Sequence, residues 1–361
     1  MNIGFVVHDY DVREGHGRYS VELVNRISNN HDVTLYVLNL HNEPPSNVQV
    51  VRVPAVRRPS YATILSFPRA FAKVRREHDL VHTQGWNTAN ADIATAHICL
   101  AAWRSASRHA PASAGLAEKF LGKYIESREG VFYRSAVRHI IAPSRHVEED
   151  LRRHYGTAKD ITVIPHSFPD LEPIPSRATA RAELKLPEKP FIALYAGDAR
   201  KGLDVALRAI ARVSDIHLVV VSRSHIRTYK NLAADLGVED RTHWIPGMPT
   251  LQPAYAAADV LLHPTVYDAF GLVVAEAMRY GLPVIVSNEA GVSELLEDGR
   301  SAWIVRPRDP EDSAQALTAL AENAELRRKF AAESQRAADQ RSWDDVAAET
   351  VAIYEKVLAT G

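Results

Sequence analysis

Hydrophobic and polar positions alternate in two ways along this chain. Short apolar runs rich in Val, Ile and Leu are followed by longer segments in which apolar residues recur at helical spacing. This repeated alternation is typical of parallel sheets whose strands are joined by crossover helices. The strands predicted in the first half cover residues 2–8, 32–38, 48–54, 80–84, 93–98, 139–144 and 161–166. A second series covers residues 191–197, 217–223, 242–246, 260–264, 283–288 and 302–305.

The two series predict an α/β chain with two Rossmann-like, doubly wound parallel-sheet domains. A length of 361 residues also exceeds what a single hydrophobic core usually organises. Between the series, residues 165–175 contain four prolines, which fix φ and lack amide donors, as in a semi-rigid linker. We therefore expect an N-terminal domain over residues 1–170 and a C-terminal domain over residues 171–341.

The last part of the chain, from residue 311 onward, has only helical patterns. Within it, apolar residues at roughly helical spacing predict a final helix over residues 342–361 with one apolar face. Those residues are Trp343, Val346, Val351, Tyr354 and Leu358.

Composition and charge narrow the class of protein. With 46% hydrophobic and 24% charged residues and a net charge of −1, the chain is not expected to be disordered or to bind nucleic acid. The single cysteine, Cys99, excludes an internal disulfide and a cysteine-rich metal site. The first residues lack the basic region of a signal peptide, and no apolar run approaches the roughly 18 residues of a membrane span. We expect a soluble, cytoplasmic protein.

The most informative segment is residues 261–286. A strand-like run ends at His263, a loop carries Asp268, and Gly271 opens a helix. The amides at the positive end of that helix suit a diphosphate. They are the amides of Phe270, Gly271, Leu272 and Val273. Glu276 lies about one turn further, where its carboxylate is expected to accept hydrogen bonds from the two hydroxyls of a ribose.

Asp268 and Glu276, with Phe-Gly, Glu-Ala-Met and Gly-Leu-Pro around them, resemble the acidic-x7-acidic signature of family 4 retaining glycosyltransferases. The resemblance implies a GT-B architecture, in which two Rossmann-like domains face a central cleft. It also implies transfer of a sugar from a nucleotide diphosphate donor, with retention and without a metal ion. Asp268 would then contact the transferred sugar, although the family more often has Glu at that place.

A second loop is similar to the Arg-Lys-Gly loop of the same family. Gly197 ends a strand, and Arg200 and Lys201 follow it directly before Gly202. Fixed cations here would stabilise the charge that develops on a leaving diphosphate, and would therefore do the work of a metal ion. The family often has Arg directly after the first Gly, where this chain has Asp198.

Two further loops resemble family elements that bind the donor. Gly247 and Met248 match a turn whose backbone reads the edge of the base, and Gly15 and Gly17 match a glycine loop near the donor phosphates and sugar. Asp9-Tyr-Asp11 is like the Asp-x-Asp tripeptide of metal-dependent transferases, but it lies at the end of the first strand. We therefore expect no metal and no cofactor.

On the N-terminal side, His97 follows a strand at the place where the family often has a His or Asp beside the reacting sugar. Ser144 is expected to cap the helix that follows it, with Arg145 facing the cleft. The resemblance also implies that the final helix, over residues 342–361, packs back onto the N-terminal domain.

The acceptor is predicted from charge. Residues 1–170 hold 21 Lys and Arg against 17 Asp and Glu, a balance of +4, which is either ordinary solvated surface or a face for an anionic acceptor or a membrane. The basic residues concerned are Arg57, Arg58, Arg69, Lys73, Arg75, Arg76, Arg104, Arg108, Lys119 and Lys123. We expect a glycan or lipid-linked acceptor and peripheral contact with the inner face of a membrane.

Other functions stay open at this point. The same pair of domains houses sugar-nucleotide epimerases and phosphorylases, and fold alone does not decide the chemistry. An epimerase would need no acceptor, and a phosphorylase would need a pyridoxal lysine, which the sequence does not identify. A non-catalytic sugar-nucleotide-binding subunit is the third class. Among donors, a UDP-sugar is favoured over a GDP-sugar.

Overall fold

Two compact units divide the chain. The computed structural model describes residues 1–13, 15–111, 116–168 and 172–360, and of residues 116–119 the backbone only. The first unit comprises Met1–Trp103, Ala114–His166 and Ser342–Gly361. The second comprises Arg104–Ser113 and Ser167–Arg341.

Each unit contains one parallel sheet. The first sheet is built from β1 (Asn2–Tyr10), β2 (Asp32–Leu40), β3 (Gln49–Arg52), β4 (Leu80–Gln84), β5 (Ala91–Thr95), β6 (Val137–Ala142) and β7 (Asp160–Val163). The second is built from β8 (Phe191–Ala196), β9 (Ile216–Ser222), β10 (Thr242–Pro246), β11 (Val260–His263), β12 (Val284–Ser287) and β13 (Trp303–Val305). Every predicted strand is present with its ends shifted by a few residues at most. The predicted fold class is confirmed.

Helices connect these strands. They are α1 (Gly15–Ile27), α2 (Ser60–Val74), α3 (Leu100–Ala106), α4 (Leu116–Val131), α5 (Arg145–Tyr155), α6 (Arg177–Glu183), α7 (Leu203–Ile210), α8 (Arg227–Asp235), α9 (Gln252–Ala257), α10 (Leu272–Arg279), α11 (Pro310–Glu322), α12 (Ala324–Ala338) and α13 (Trp343–Ala359).

Strand order places a switch point in each sheet. The orders are β3-β2-β1-β4-β5-β6-β7 and β10-β9-β8-β11-β12-β13. The direction of winding reverses between β1 and β4 and again between β8 and β11. Ligands of open α/β sheets bind at such points, outside the carboxyl ends of the strands. The loops after β1, β4, β8 and β11 are therefore where a site is expected.

The second sheet is covered on both faces. Alternate residues of β8 contribute to two separate apolar clusters, with Ile192 and Leu194 in one and Ala193 and Tyr195 in the other. Successive side chains of a strand point to opposite faces, so a strand buried on both sides has a nearly continuous apolar sequence. This is why the strands could be predicted from their hydrophobic runs.

The final helix packs against α1 within the first unit. Ser342 and Asp345 form a reciprocal capping box at its start, and Arg26 of α1 binds Asp344 at 2.6 Å. The buried face runs through Trp343, Val346, Thr350, Ile353, Tyr354 and Val357. Val351 and Leu358, which were expected on that face, lie at its margin and are only partly buried. The predicted face is therefore wrong at these two positions, because the packed stripe advances by three and four residues in turn.

The predicted linker is only partly described. Residues 164–168 and 172–176 form neither helix nor strand, while residues 169–171, with the predicted boundary at 170, lie outside the described residues. The Ser167 hydroxyl donates to the Arg341 carbonyl at 2.7 Å within the second unit. Among the described residues, no helix is both long and apolar enough to cross a membrane.

Candidate active site

The loops after β8 and β11 meet at the switch point of the second sheet. A tight turn, Ala199–Lys201, is followed by Gly202, whose φ is 110°. A Cβ atom on Gly202 would lie 2.3 Å from the carbonyl oxygen of Pro264, closer than any real contact. Glycine is therefore required here both for its φ and for its missing side chain. Because Gly202 has no side chain, the turn that carries Lys201 can pack directly against the loop after β11.

Lys201 and Asp268 form an ion pair at this junction. The Lys201 Nζ lies 2.9 Å from the Asp268 Oδ2, and the His263 Nε2 donates to the same oxygen at 3.2 Å. Asp268 is 9% exposed. Burial alone would raise the pKa of Asp268, but the charge of Lys201 and the His263 hydrogen bond outweigh it and hold the pKa well below its usual value. Asp268 is therefore a carboxylate at neutral pH.

The backbone around Asp268 is fixed by the loop that follows β12. The Asp268 amide donates to the Glu289 carbonyl at 2.9 Å, and the Gly291 amide donates to the Asp268 carbonyl at 3.0 Å. The Val292 amide donates to the Phe270 carbonyl at 2.7 Å. These bonds fix the backbone at Asp268 and Phe270 independently of Lys201.

Helix α10 begins directly after this loop. Gly271, with a φ of 100°, is its N-cap, and the amides of Val274 and Ala275 donate to the Gly271 carbonyl. The amides of Gly271, Leu272 and Val273 precede these first intrahelical bonds and lie at the positive end of the helix. This is the arrangement that the sequence predicted for a diphosphate. The side chain of Phe270 is 3% exposed and packs in the core, and diphosphate binding by its amide stays a prediction.

Glu276 is held by a residue that the sequence did not identify. The Tyr255 hydroxyl donates to the Glu276 Oε2 at 2.7 Å, and the Tyr255 ring stacks on Tyr280 with centroids 5.7 Å apart. The hydroxyl of a buried tyrosine usually needs a hydrogen-bond partner. The sequence alone gave no sign that this partner is Glu276. The contact orients the carboxylate that is predicted to bind ribose.

Arg200 does not join Lys201 at Asp268. Its guanidinium binds Asp198, with 2.7 Å between Nη2 and Oδ2, and its amide donates to the same carboxylate at 2.9 Å. Burial raises the pKa of Asp198, but the hydrogen bonds from Arg200 outweigh this and leave the pKa below its usual value. The aspartate that replaces the family's usual arginine thus pairs with the neighbouring cation.

At the predicted base-reading turn, Gly247 makes room for Arg223. A Cβ atom on Gly247 would lie 2.0 Å from the Arg223 Cγ, and the Arg223 Nη2 donates to the Met248 carbonyl at 3.0 Å. The close approach at Gly247 is therefore made by a side chain of the protein. Contact of Gly247 and Met248 with a base stays a prediction.

The glycine loop expected at Gly15 and Gly17 is wrong as a loop, because both residues lie in the first turn of α1. A Cβ atom on Gly17 would lie 2.3 Å from the Asp11 carbonyl oxygen, so Gly17 lets the helix pack onto the turn before it. Glu14 lies outside the described residues. Donor binding by Gly15 and Gly17 stays a prediction.

His97 lies after β5 in the first unit. Its Nε2 is 2.8 Å from the Gln84 Oε1, and its ring centroid is 5.0 Å from that of Tyr19 and 5.6 Å from that of His166. Burial lowers the pKa of His97 well below its usual value, with smaller contributions from His166, His16 and His82. His97 is therefore a neutral imidazole at neutral pH.

Two smaller predictions concern this unit. Ser144 caps α5 by accepting from the Val147 amide at 3.2 Å, so the predicted N-cap is confirmed, and Arg145 is exposed in the first turn. Asp9 accepts from Asn39 and Asp11 binds Arg13, each in a separate contact. No group of three or more His, Cys, Asp or Glu side chains in the described residues is arranged to hold a metal ion.

Two family models match the chain. Residues 13–169 match the model described as Glycosyltransferase Family 4, and residues 176–337 match the model described as Glycosyl transferases group 1. A curated relative, the D-inositol 3-phosphate glycosyltransferase of Xylanimonas cellulosilytica, is 31% identical over 304 residues, which is 77% of this chain and 72% of that protein. The match to the Streptomyces scabiei protein of the same name, at 31% identity, covers 61% of this chain and 54% of that protein. The chain thus spans about half the length of the Streptomyces relatives it matches.

Solved structures agree in fold. The sucrose-phosphate synthase of Thermosynechococcus elongatus superposes with a TM-score of 0.79 at 20% identity over 99% of both chains. The Anabaena protein HepE, solved with UDP-glucose, superposes with a TM-score of 0.75 at 16% identity over 99% of both chains. At such low identity these likenesses establish the GT-B fold alone. The two family models and the Xylanimonas relative show the family: this chain belongs to glycosyltransferase family 4.

Proposed function

We propose that the chain is a retaining, metal-independent glycosyltransferase that moves a hexose from a nucleotide diphosphate sugar to a glycan, lipid-linked or small-molecule acceptor. The observation that carries the proposal is the Lys201–Asp268 ion pair at the switch point of the second sheet, directly before the N-terminus of α10. It combines a fixed cation, a buried carboxylate and the positive end of a helix.

The leaving group is the first part of the mechanism. As the glycosidic bond breaks, the diphosphate gains negative charge. Lys201 and the amides of Gly271, Leu272 and Val273 stabilise this charge through groups that need no reorganisation. Glu276, oriented by Tyr255, accepts hydrogen bonds from the ribose hydroxyls and so fixes the nucleotide.

The sugar is the second part. Asp268 contacts the transferred sugar, and its low pKa keeps it ionised while it does so. Retention requires either two displacements or attack on the same face within an ion-pair-like state. Asp268 is already engaged by Lys201 and His263, which favours same-face attack over a covalent intermediate on this carboxylate. His97 is kept as a proposed sugar-binding residue on the basis of the family resemblance alone.

A UDP-sugar is the proposed donor. The support is that HepE, which shares the fold, was solved with UDP-glucose. The curated relatives named for D-inositol 3-phosphate support an acceptor that carries hydroxyls and a negative charge.

A membrane-facing surface on the first unit is proposed for acceptor binding. Phe120 is 75% exposed and Tyr124 51% exposed on α4, with Lys123 between them, and α4 contacts α2, where Tyr61 is 46% exposed. Exposed aromatic rings beside basic residues suit a bilayer interface, where each basic residue adds roughly 1 kcal/mol of attraction to anionic lipid. Arg104 and Arg108 belong to the second unit and are left out of this surface, and the Lys119 side chain lies outside the described residues.

Vesicle co-sedimentation tests the membrane surface. We expect binding to anionic vesicles that weakens at high salt and falls in Phe120→Ser. Equal binding of anionic and neutral vesicles would contradict it.

The glycosyltransferase activity is tested by a donor screen. UDP-, GDP- and ADP-sugars are incubated with the protein with and without EDTA, and release of the nucleoside diphosphate is measured. We expect release from a UDP-sugar that EDTA does not reduce. Conversion of the donor to an isomeric sugar nucleotide would show an epimerase, and binding without turnover of any donor would show a binding subunit.

A further inference from the structure

Gln84 connects His97 to the interior of the first unit. The side chain of this residue at the end of β4 is 6% exposed, and its Oε1 lies 2.8 Å from the His97 Nε2. Its amide nitrogen lies 3.3 Å from the Nε2 of His82, two residues earlier in the same strand. One amide therefore bridges two imidazole rings.

The chain of hydrogen bonds continues to the final helix. His82 is fully buried, with its Nδ1 2.7 Å from the Tyr354 hydroxyl and its Nε2 2.8 Å from the Thr95 hydroxyl. The Tyr19 hydroxyl lies 3.2 Å from the same Thr95 oxygen. Tyr354 lies on α13 and Tyr19 on α1, so both helices hold the far end of the chain. Buried partners of this kind cannot exchange readily with water, and each proton position constrains the next.

These contacts place the proton of His97. An amide oxygen only accepts, so the His97 Nε2 carries the hydrogen and the Nδ1 of the neutral ring keeps its lone pair. The Gln84 amide nitrogen donates to the His82 Nε2, so His82 carries its hydrogen on Nδ1 and donates to Tyr354. With this orientation of the amide, both rings have a hydrogen-bond partner at Nε2.

The surroundings keep His97 neutral. The titratable groups that face it are His16 and Tyr19 from α1, His82 from β4, and His166 after β7. Burial and the neighbouring histidines lower its pKa, so the lone pair on Nδ1 persists at neutral pH.

We propose that Gln84 is a positioning residue that fixes the His97 tautomer, so that Nδ1 accepts a hydrogen bond from a hydroxyl of the bound sugar or acceptor. The inference rests on the proposed function for the identity of the bound molecule. The tautomer itself does not depend on turnover.

Histidine nitrogen NMR on the wild-type protein is the direct test. The chain has 16 histidines, and His97→Phe assigns the signal by its disappearance. We expect the proton on Nε2. A proton on Nδ1, or an average over the two tautomers, would overturn the proposal without any variant of Gln84.

Two variants test whether Gln84 is the cause. Gln84→Glu places a carboxylate beside the ring and should raise the pKa of His97 by about one unit or more, with the acidic limb of the kcat profile moving in parallel. Gln49→Glu adds the same charge on exposed β3 and should leave that pKa unchanged. Gln84→Met is the neutral change, expected to abolish the Nε2 preference and to lower kcat more than the donor KM changes.

An unchanged His97 pKa in Gln84→Glu together with an unchanged tautomer in Gln84→Met would contradict the role of Gln84. A protein that turns over no sugar nucleotide while His97 keeps its proton on Nε2 would overturn the proposed function and leave the tautomer assignment standing.

Discussion

At the scale of residues, the site depends on contacts between positions far apart in sequence. The sequence identified Lys201 and Asp268 separately, from motifs that resemble a family, but their pairing 67 positions apart follows from the switch point between β8 and β11. His263, Tyr255 and Gln84 were not predicted, because each is linked to the candidate site only by a contact that folding creates. The pairing of Arg200 with Asp198, two positions away in the same turn, is a local contact that was also not predicted.

Lys201→Ala tests the cation. We expect kcat to fall on the order of 10²-fold, with a smaller change in donor affinity, because the charge is needed most in the transition state. Arg200→Ala should cost less, since Arg200 is paired with Asp198. Lys189, exposed in the same unit, is the matched control, and Lys189→Ala should keep the wild-type rate. Equal rates for Lys201→Ala and Lys189→Ala would remove Lys201 from the mechanism.

At the scale of elements, the strands could be predicted from the sequence, whereas the strand ends and the helices could be predicted only in part. Strands buried on both faces have continuous apolar runs, which is why β8 and β11 were found, whereas strand ends depend on pairing with neighbours. The start of α1 at Gly15 was missed because its glycines indicated a loop, and the need for Gly17 arises from the approach of Asp11. The predicted apolar face of α13 was wrong at two residues, because packing against α1 decides which side chains are buried.

Gly202→Ala tests the junction of the two loops. The added Cβ would meet the Pro264 carbonyl at 2.3 Å in a backbone with a φ of 110°, so both a clash and strain are expected. Gly237→Ala is the control, because Gly237 also has a positive φ, 67°, but has open space around it. Strain alone costs about 1 kcal/mol. Urea unfolding should show a clearly larger loss in the free energy of unfolding for Gly202→Ala than for Gly237→Ala. Equal losses would mean that the two loops move apart without further loss of stability.

The buried Glu129 binds the start of α3, and its pKa makes the stability of the protein depend on pH. The Glu129 carboxylate accepts from the Leu100 amide at 2.9 Å and from the Tyr155 hydroxyl. Burial raises the pKa of Glu129 to about 7. The folded protein therefore holds this proton more tightly than the unfolded chain does, and the associated stability is present below about pH 4.5 and lost as the pH rises to about 7.

The measurement for Glu129 is urea unfolding between pH 4.5 and pH 8. Glu129→Gln should remove the part of the slope that Glu129 causes, up to about 3 kcal/mol over that window. Identical pH dependence for the variant and the wild type would contradict the raised pKa.

At the scale of the whole molecule, the two units have different proposed roles. The second unit holds the Lys201–Asp268 pair and α10, which are proposed to bind the donor, and the first holds His97 and the exposed aromatic residues of α4. The acceptor could not be predicted from the sequence beyond its expected charge, because the basic residues that suggested it lie outside the motifs that resemble the family.

The most direct measurement of the central claim is anomeric NMR of the product formed from a UDP-α-hexose in the presence of EDTA. One spectrum reports whether the sugar leaves UDP, whether a metal is needed, and on which face the new bond forms. We predict a product of α configuration and free UDP. A product of β configuration, a loss of the reaction in EDTA that Mg²⁺ or Mn²⁺ restores, or an epimerised sugar still attached to UDP would contradict the account.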